Sequence, residues 1–188
     1  MQIFFDASPR GKKDLNTIYE SIFSITQLLG YRHITDEILT IDPSEFYSGI
    51  LENSGSMENL YRKKINFIQK SDICLFECTT VGLGLGFVIV KSMELGKPTI
   101  VLYQGKSIPY FLIGIKDPLL HVVRYNKENL KKVLIKTLSE ARTQREKRLN
   151  LYLTSKIYTH VYIKSKENKS SMSGYVRGLI VEDMIRKV

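Results

Sequence analysis

The 188 residues are 43% apolar and carry a formal charge of +9, which suits one buried core plus a small appendage. No apolar run is long enough to span a bilayer, and the first residues lack the charged-then-apolar layout of a signal peptide. A cytoplasmic protein with no membrane partner is therefore expected. Residues 2–7 (QIFFDA) read as a first strand, closed by the turn residues Ser8, Pro9, Arg10 and Gly11. Asp14 is placed to cap a helix whose Ile18, Ile22, Ile25, Leu28 and Leu29 share a face, and Gly30 closes it. Residues 33–39 read as a strand, 41–56 as a looser segment with Pro43, Gly49 and Gly55, and 57–70 as a helix.

Residues 72–79 (DICLFECT) form the continuous apolar run of a strand buried on both faces. Its Cys74 and Cys78 read as two small buried side chains, because C-x3-C without nearby His or further Cys is a poor metal site. No metal or cofactor is expected. A glycine-rich turn, Gly82 to Gly86, leads into a helix ending near Gly96. Strands follow at 99–103 and 120–124, then a helix at 127–142. The pattern gives an α/β fold: a doubly wound, mainly parallel five-stranded sheet with flanking helices. Ligands in such sheets bind beyond the carboxyl ends of the strands, where both turn motifs fall.

The pattern changes after Arg145. Residues 148–153 (RLNLYL) alternate between polar and apolar, and helices follow at about 155–168 and from Ser171 or Ser173 to the end. Residues 141–188 hold 11 Lys/Arg against 4 Asp/Glu, a net +7, whereas residues 1–140 hold 17 against 15, a net +2. Some 40 residues of this kind cannot bury enough surface alone and call for a second copy. The layout resembles the ribbon-helix-helix family of DNA-binding proteins. That resemblance implies a homodimer or higher oligomer whose paired strands present Arg148, Asn150 and Tyr152 to duplex DNA, with Ser171 and Ser173 at a phosphate. A dimerisation arm with no DNA role is the plainer alternative.

Ser8, Arg10 and Gly11, then Asp72 through Glu77, then Gly84, Leu85, Gly86 and Phe87 entering a helix, together resemble the nucleoside 2-deoxyribosyltransferase family. The branch most similar is the deoxynucleoside 5′-monophosphate N-glycosidases, over about residues 1–135. The resemblance implies that Ser8, Arg10, Gly11, Gly84 and Gly86 bind a phosphate or nucleotide-like ligand. It also implies a Glu nucleophile directly after the aromatic of the glycine turn and an Asp about eight residues before the start of the third strand. Those positions hold Val88 and Lys64, and no catalytic residue is assigned. Glu77 is the better candidate for a relocated carboxylate, and Asp6 is a candidate partner for Lys64.

The expected organisation is a nucleoside deoxyribosyltransferase-like domain at 1–140, a linker at 141–147 and a ribbon-helix-helix domain at 148–188. The expected function is a dimeric DNA-binding transcriptional regulator whose first domain is a non-catalytic pseudoenzyme that senses a nucleotide-like ligand. The alternative is a nucleoside or nucleotide N-glycosidase, or a 2-deoxyribosyltransferase, with a relocated carboxylate.

Overall fold

A computed structural model describes residues 1–52, 54–143, 151–168 and 170–186, without the side chains of 49–56. In chain order the elements are β1 (Gln2–Ala7), a 3-10 turn (Pro9–Gly11), α1 (Lys12–Leu28), β2 (Arg32–His33), α2 (Glu37–Thr40), α3 (Pro43–Glu52) and α4 (Ser54–Lys70). There follow β3 (Ile73–Glu77), α5 (Leu83–Glu94), β4 (Thr99–Tyr103), α6 (Tyr110–Ile113), β5 (Leu120–Arg124), α7 (Leu130–Thr143), α8 (Ser155–Glu167) and α9 (Met172–Arg186).

The five strands form one all-parallel sheet in the order β2-β1-β3-β4-β5. Successive side chains on a strand point to opposite faces, so each central strand feeds two cores. Ile3, Phe5, Ile73 and Leu75 pack with Tyr19 and Ile22 of α1 and Leu134 and Leu138 of α7. Phe4, Cys74 and Phe76 pack with Ile68 of α4 and Leu85 and Ile89 of α5. Cys74 and Cys78 are free thiols, both buried.

Three local readings are corrected. The strand expected over 33–39 shrinks to Arg32–His33, paired only with Gln2 and Ile3. Thr35 Oγ1 accepts the Glu37 N–H at 3.1 Å, and the chain turns into α2 instead. The segment 41–56 is mostly helical, because Asp42 Oδ1 accepts the N–H groups of Ser44 (2.8 Å) and Glu45 (3.1 Å) with Pro43 at the first helical position. The helix expected from 127 begins at Leu130. Asn126 and Asn129 each accept the other's backbone N–H at 2.8 Å, and that reciprocal pair occupies the turn before it.

The chain divides into two compact units, Met1–Arg148 and Leu149–Val188. In the second, Thr154 caps α8 through the Ile157 N–H, Ser171 Oγ accepts the Gly174 N–H at 3.0 Å at the start of α9, and Val161 and Ser165 are buried. Of the strand expected over 148–153, Arg148 and Asn150 lie outside the described residues. Leu151, Tyr152 and Leu153 adopt no regular structure, and Tyr152 is fully exposed. Among the described residues, no helix is long and apolar enough to cross a membrane.

Candidate active site at the carboxyl ends of the strands

Beyond the carboxyl ends of β1 and β3 lies a cavity of about 440 Å³. Its polar residues are concentrated near the β1 turn and α4: Asp6, Ser8, Arg10, Glu37 and Lys64. Apolar and aromatic side chains of α3, α4 and α5, among them Phe46, Leu60, Tyr61 and Phe87, supply the remaining walls. A few convergent polar groups in an apolar cleft are the usual make-up of a small-ligand site.

Two backbone turns meet at its floor. Ser8 is buried at the end of β1, and its carbonyl accepts the Gly11 N–H (2.9 Å) and the Tyr19 hydroxyl (3.2 Å), which fixes the turn. The Arg10 guanidinium lies 5.0 Å from the Tyr47 ring centre. Opposite, α5 starts at Leu83, and its first helical hydrogen bond runs from Gly86 N–H to the Gly82 carbonyl. The N–H groups of Leu83, Gly84 and Leu85 therefore precede the helical ladder. A Cβ added to Gly82 would lie 3.7 Å from Ser8 Oγ, which measures how closely the turns approach. A hydroxyl, a guanidinium and helix-start N–H groups are phosphate ligands.

Of the residues singled out in the sequence, Ser8, Arg10 and Gly84 line this cavity, while Gly11 and Gly86 are not among its lining residues. Gly11 is buried for packing: an added Cβ would sit 2.1 Å from the Tyr19 hydroxyl and 2.8 Å from Thr80 Oγ1. Lys12 is engaged elsewhere, its ammonium donating to the carbonyls of Leu39 and Ile41 at 2.7 Å each. Val88 of α5 also lines the cavity.

The carboxylates are arranged differently from the sequence reading. Lys64 lies 3.0 Å from both oxygens of Asp6 and 3.9 Å from Glu37 Oε2, while Lys63 holds Glu37 Oε1 at 3.1 Å. Burial holds the Asp6 carboxyl above the usual carboxylate range, with the Lys64 ammonium opposing only in part. Glu37 Oε2 is buried and accepts no hydrogen bond. The expected Asp6–Lys64 pair is present, and Glu37, which the sequence did not single out, stands in the cavity beside it.

Glu77 is not among the lining residues. In register, Asp6 pairs with Phe76, and Ala7 with Glu77. Asp6 therefore shares the α4/α5 face with Phe76, while Glu77 turns to the α1/α7 face, beside Tyr125. Strand register and parity together place Glu77 on the face of the sheet opposite Asp6. Glu37 left a weaker signal: the Thr-Asp-Glu of a helix start, read as strand. Among the described residues, no cluster of three or more His, Cys, Asp or Glu could hold a metal ion.

No protein-family model matches the sequence. The chain is similar to 5-hydroxymethyl-dUMP N-hydrolase of Rattus norvegicus, at 24% identity over 105 residues, 56% of this chain and 62% of that protein. It is similar to 5-hydroxymethyl-dUMP N-hydrolase of Danio rerio, at 23% identity over 138 residues, 71% of this chain and 93% of that protein. It thus spans just under two thirds of the rat relative's length and nearly all of the fish one's. Among solved structures, the Clostridium botulinum CMP N-glycosidase aligns at a TM-score of 0.49 and 17% identity, over 72% of this chain and 99% of that one.

The two curated relatives carry enzyme names, and they overturn two expectations. The chain is not read further as a non-catalytic pseudoenzyme, nor as a DNA-binding transcriptional regulator. The pseudoenzyme reading rested on the replacement of two acids by Val88 and Lys64, with Glu77 as the candidate substitute. The cavity holds two carboxylates at other positions.

Proposed function

We propose that the protein hydrolyses the N-glycosidic bond of a 2′-deoxynucleoside 5′-monophosphate, with Glu37 in the role of the relocated carboxylate. The reading rests on one observation above all: a buried Glu37 Oε2 that accepts no hydrogen bond and has Lys64 only at 3.9 Å, in the wall of a cavity whose floor is a phosphate-type turn. The names of the curated relatives point to the same substrate class.

The chemistry follows from the charges. The 5′-phosphate enters between Ser8, Arg10 and the first turn of α5, which places the sugar toward α4. Breaking the C1′–N bond develops positive charge on the sugar, and a bare lysine there would oppose it. Asp6 neutralises Lys64 through both oxygens and Lys63 holds the far oxygen of Glu37, so with all four groups ionised the cluster is neutral rather than cationic. Glu37 faces the cationic centre and takes a proton from water. The water oxygen bonds to C1′, the C1′–N electron pair leaves with the base, and the proton follows it. The products are free base and 2-deoxyribose 5-phosphate.

Incubating the protein with a panel of deoxynucleoside monophosphates and resolving free base by chromatography tests the reading. Glu37→Gln is expected to cut kcat by roughly 100-fold or more, the usual range for removing a general base. Asp6→Asn is expected to lower kcat as well, by leaving the Lys64 charge uncompensated. Wild-type protein that releases no base from any substrate, or a Glu37→Gln variant as fast as wild type, would discard the proposal.

A further inference from the structure

One buried carboxyl lies outside the cluster just described. Glu77, fully buried, closes β3 on the face opposite Asp6. Its Oε1 accepts three hydrogen bonds: from the Thr79 N–H at 3.1 Å, from the Thr79 hydroxyl, and from the Tyr125 hydroxyl at 3.0 Å. The bonding continues outward. Gln104 Nε2 donates to the Tyr125 hydroxyl at 2.8 Å, and the Gln104 N–H donates to Thr79 Oγ1 at 2.9 Å. Residues at the carboxyl ends of β3, β4 and β5 are therefore tied through a single oxygen atom.

Thr79 sits at the start of the turn that runs from Cys78 to Gly82 and delivers the first residues of α5. Thr80 Oγ1 would lie 2.8 Å from a Cβ at Gly11, and a Cβ at Gly82 would lie 3.7 Å from Ser8 Oγ. The turn is thus wedged against the β1 loop on one side and pinned to Glu77 on the other. We infer that Glu77 is a positioning residue: acting through Thr79, it fixes where the α5 N-terminus and the Ser8 turn present their donors to a substrate phosphate.

The inference rests on the phosphate end of the proposed site and not on the identity of its catalytic acid. Burial holds the Glu77 carboxyl above the usual carboxylate range, with the Thr79 and Tyr125 hydrogen bonds opposing. Glu77 faces Tyr125 on the α1/α7 side of the sheet and does not line the cavity, so the role assigned to it is positional.

The test compares Thr79→Val, which keeps shape but loses the hydroxyl, with Glu77→Gln, which keeps an accepting oxygen. Each is measured with a deoxynucleoside monophosphate, with the same deoxynucleoside lacking phosphate, and by titration with inorganic phosphate, while thermal unfolding reports on folding. Thr79→Val is expected to raise KM for the nucleotide and Kd for phosphate by about tenfold, the scale of an ångström-level misplacement short of full loss. It is expected to leave kcat and the nucleoside KM unchanged. Glu77→Gln is expected to stay within about threefold of wild type in every measurement, because a neutral acceptor preserves the tie. Equal losses on nucleotide and nucleoside, or an unchanged phosphate Kd in Thr79→Val, overturn the inference. Phosphate binding without base release by wild type removes the catalytic reading alone. No phosphate binding by wild type removes both.

Discussion

At the scale of single residues, position along a strand decides chemistry more than residue type does. Asp6 and Glu77 are both carboxylates at strand ends, and a period of two sends one toward Lys64 and the other toward Tyr125. His33 shows the same dependence on surroundings. Its ring stacks on Phe23 at 3.7 Å, and Nε2 lies 2.7 Å from Thr26 Oγ1. Burial pushes its pKa down to about 4 from 6.5. The folded state thus resists protonation that the unfolded chain accepts. The resulting stability is fully present above pH 6.5 and is lost as pH falls toward about 4. Urea midpoints measured across that window should fall more steeply for wild type than for His33→Gln, whose side chain does not titrate. Parallel curves would show that His33 is not the source. The two turns that carry Ser8, Arg10 and Gly84 to the cavity wall were legible in the sequence because turn chemistry is local. Glu37 was not, because its place in the cavity depends on α2 packing beside α4 through Lys63 and Lys64.

At the scale of elements, caps and strand registers explain most of what differed from the sequence reading. Asp42 starts α3 where Pro43 and two glycines had suggested a loop. The Asn126–Asn129 pair delays α7 by three residues from 127 to 130. Both are side-chain-to-backbone bonds that compete with or initiate a helix, and their outcome is set by geometry rather than by propensity. The start of α9 follows the same rule: Ser171 Oγ accepts the Gly174 N–H at 3.0 Å. Ser171→Ala is expected to destabilise the helix by about 1 kcal/mol, as loss of an N-cap does. The readout is a lower helical circular-dichroism signal at the midpoint temperature of wild type. A variant with unchanged melting would show that Gly174 does not need the cap. The apolar run of β3 was, by contrast, plain from sequence; of the face read for α1, Ile18 and Ile22 are buried, but Leu28 is exposed, and the helix starts at Lys12 with Asp14 inside its first turn rather than as its cap.

At the scale of the whole molecule, two compact units divide the chain, and the acid cluster and cavity belong entirely to the first. That unit has cores on both faces of its sheet and meets the usual description of an independently folding domain. Truncation after Arg148 is therefore expected to leave one cooperative thermal transition and the base release of the full chain, checked by calorimetry and the chromatographic assay. A truncated protein without a transition would place essential core contacts in the second unit. The sequence by itself determined the parallel α/β sheet, the turn at Ser8–Gly11 and the glycine-rich entry to α5, since each is written in contiguous residues whose pattern has one physical reading. Only the tertiary structure decided which acids share the cavity. Asp6 and Lys64 lie 58 positions apart and meet at 3.0 Å; strand register and helix packing bring such groups together, and neither is encoded in any local window of the chain.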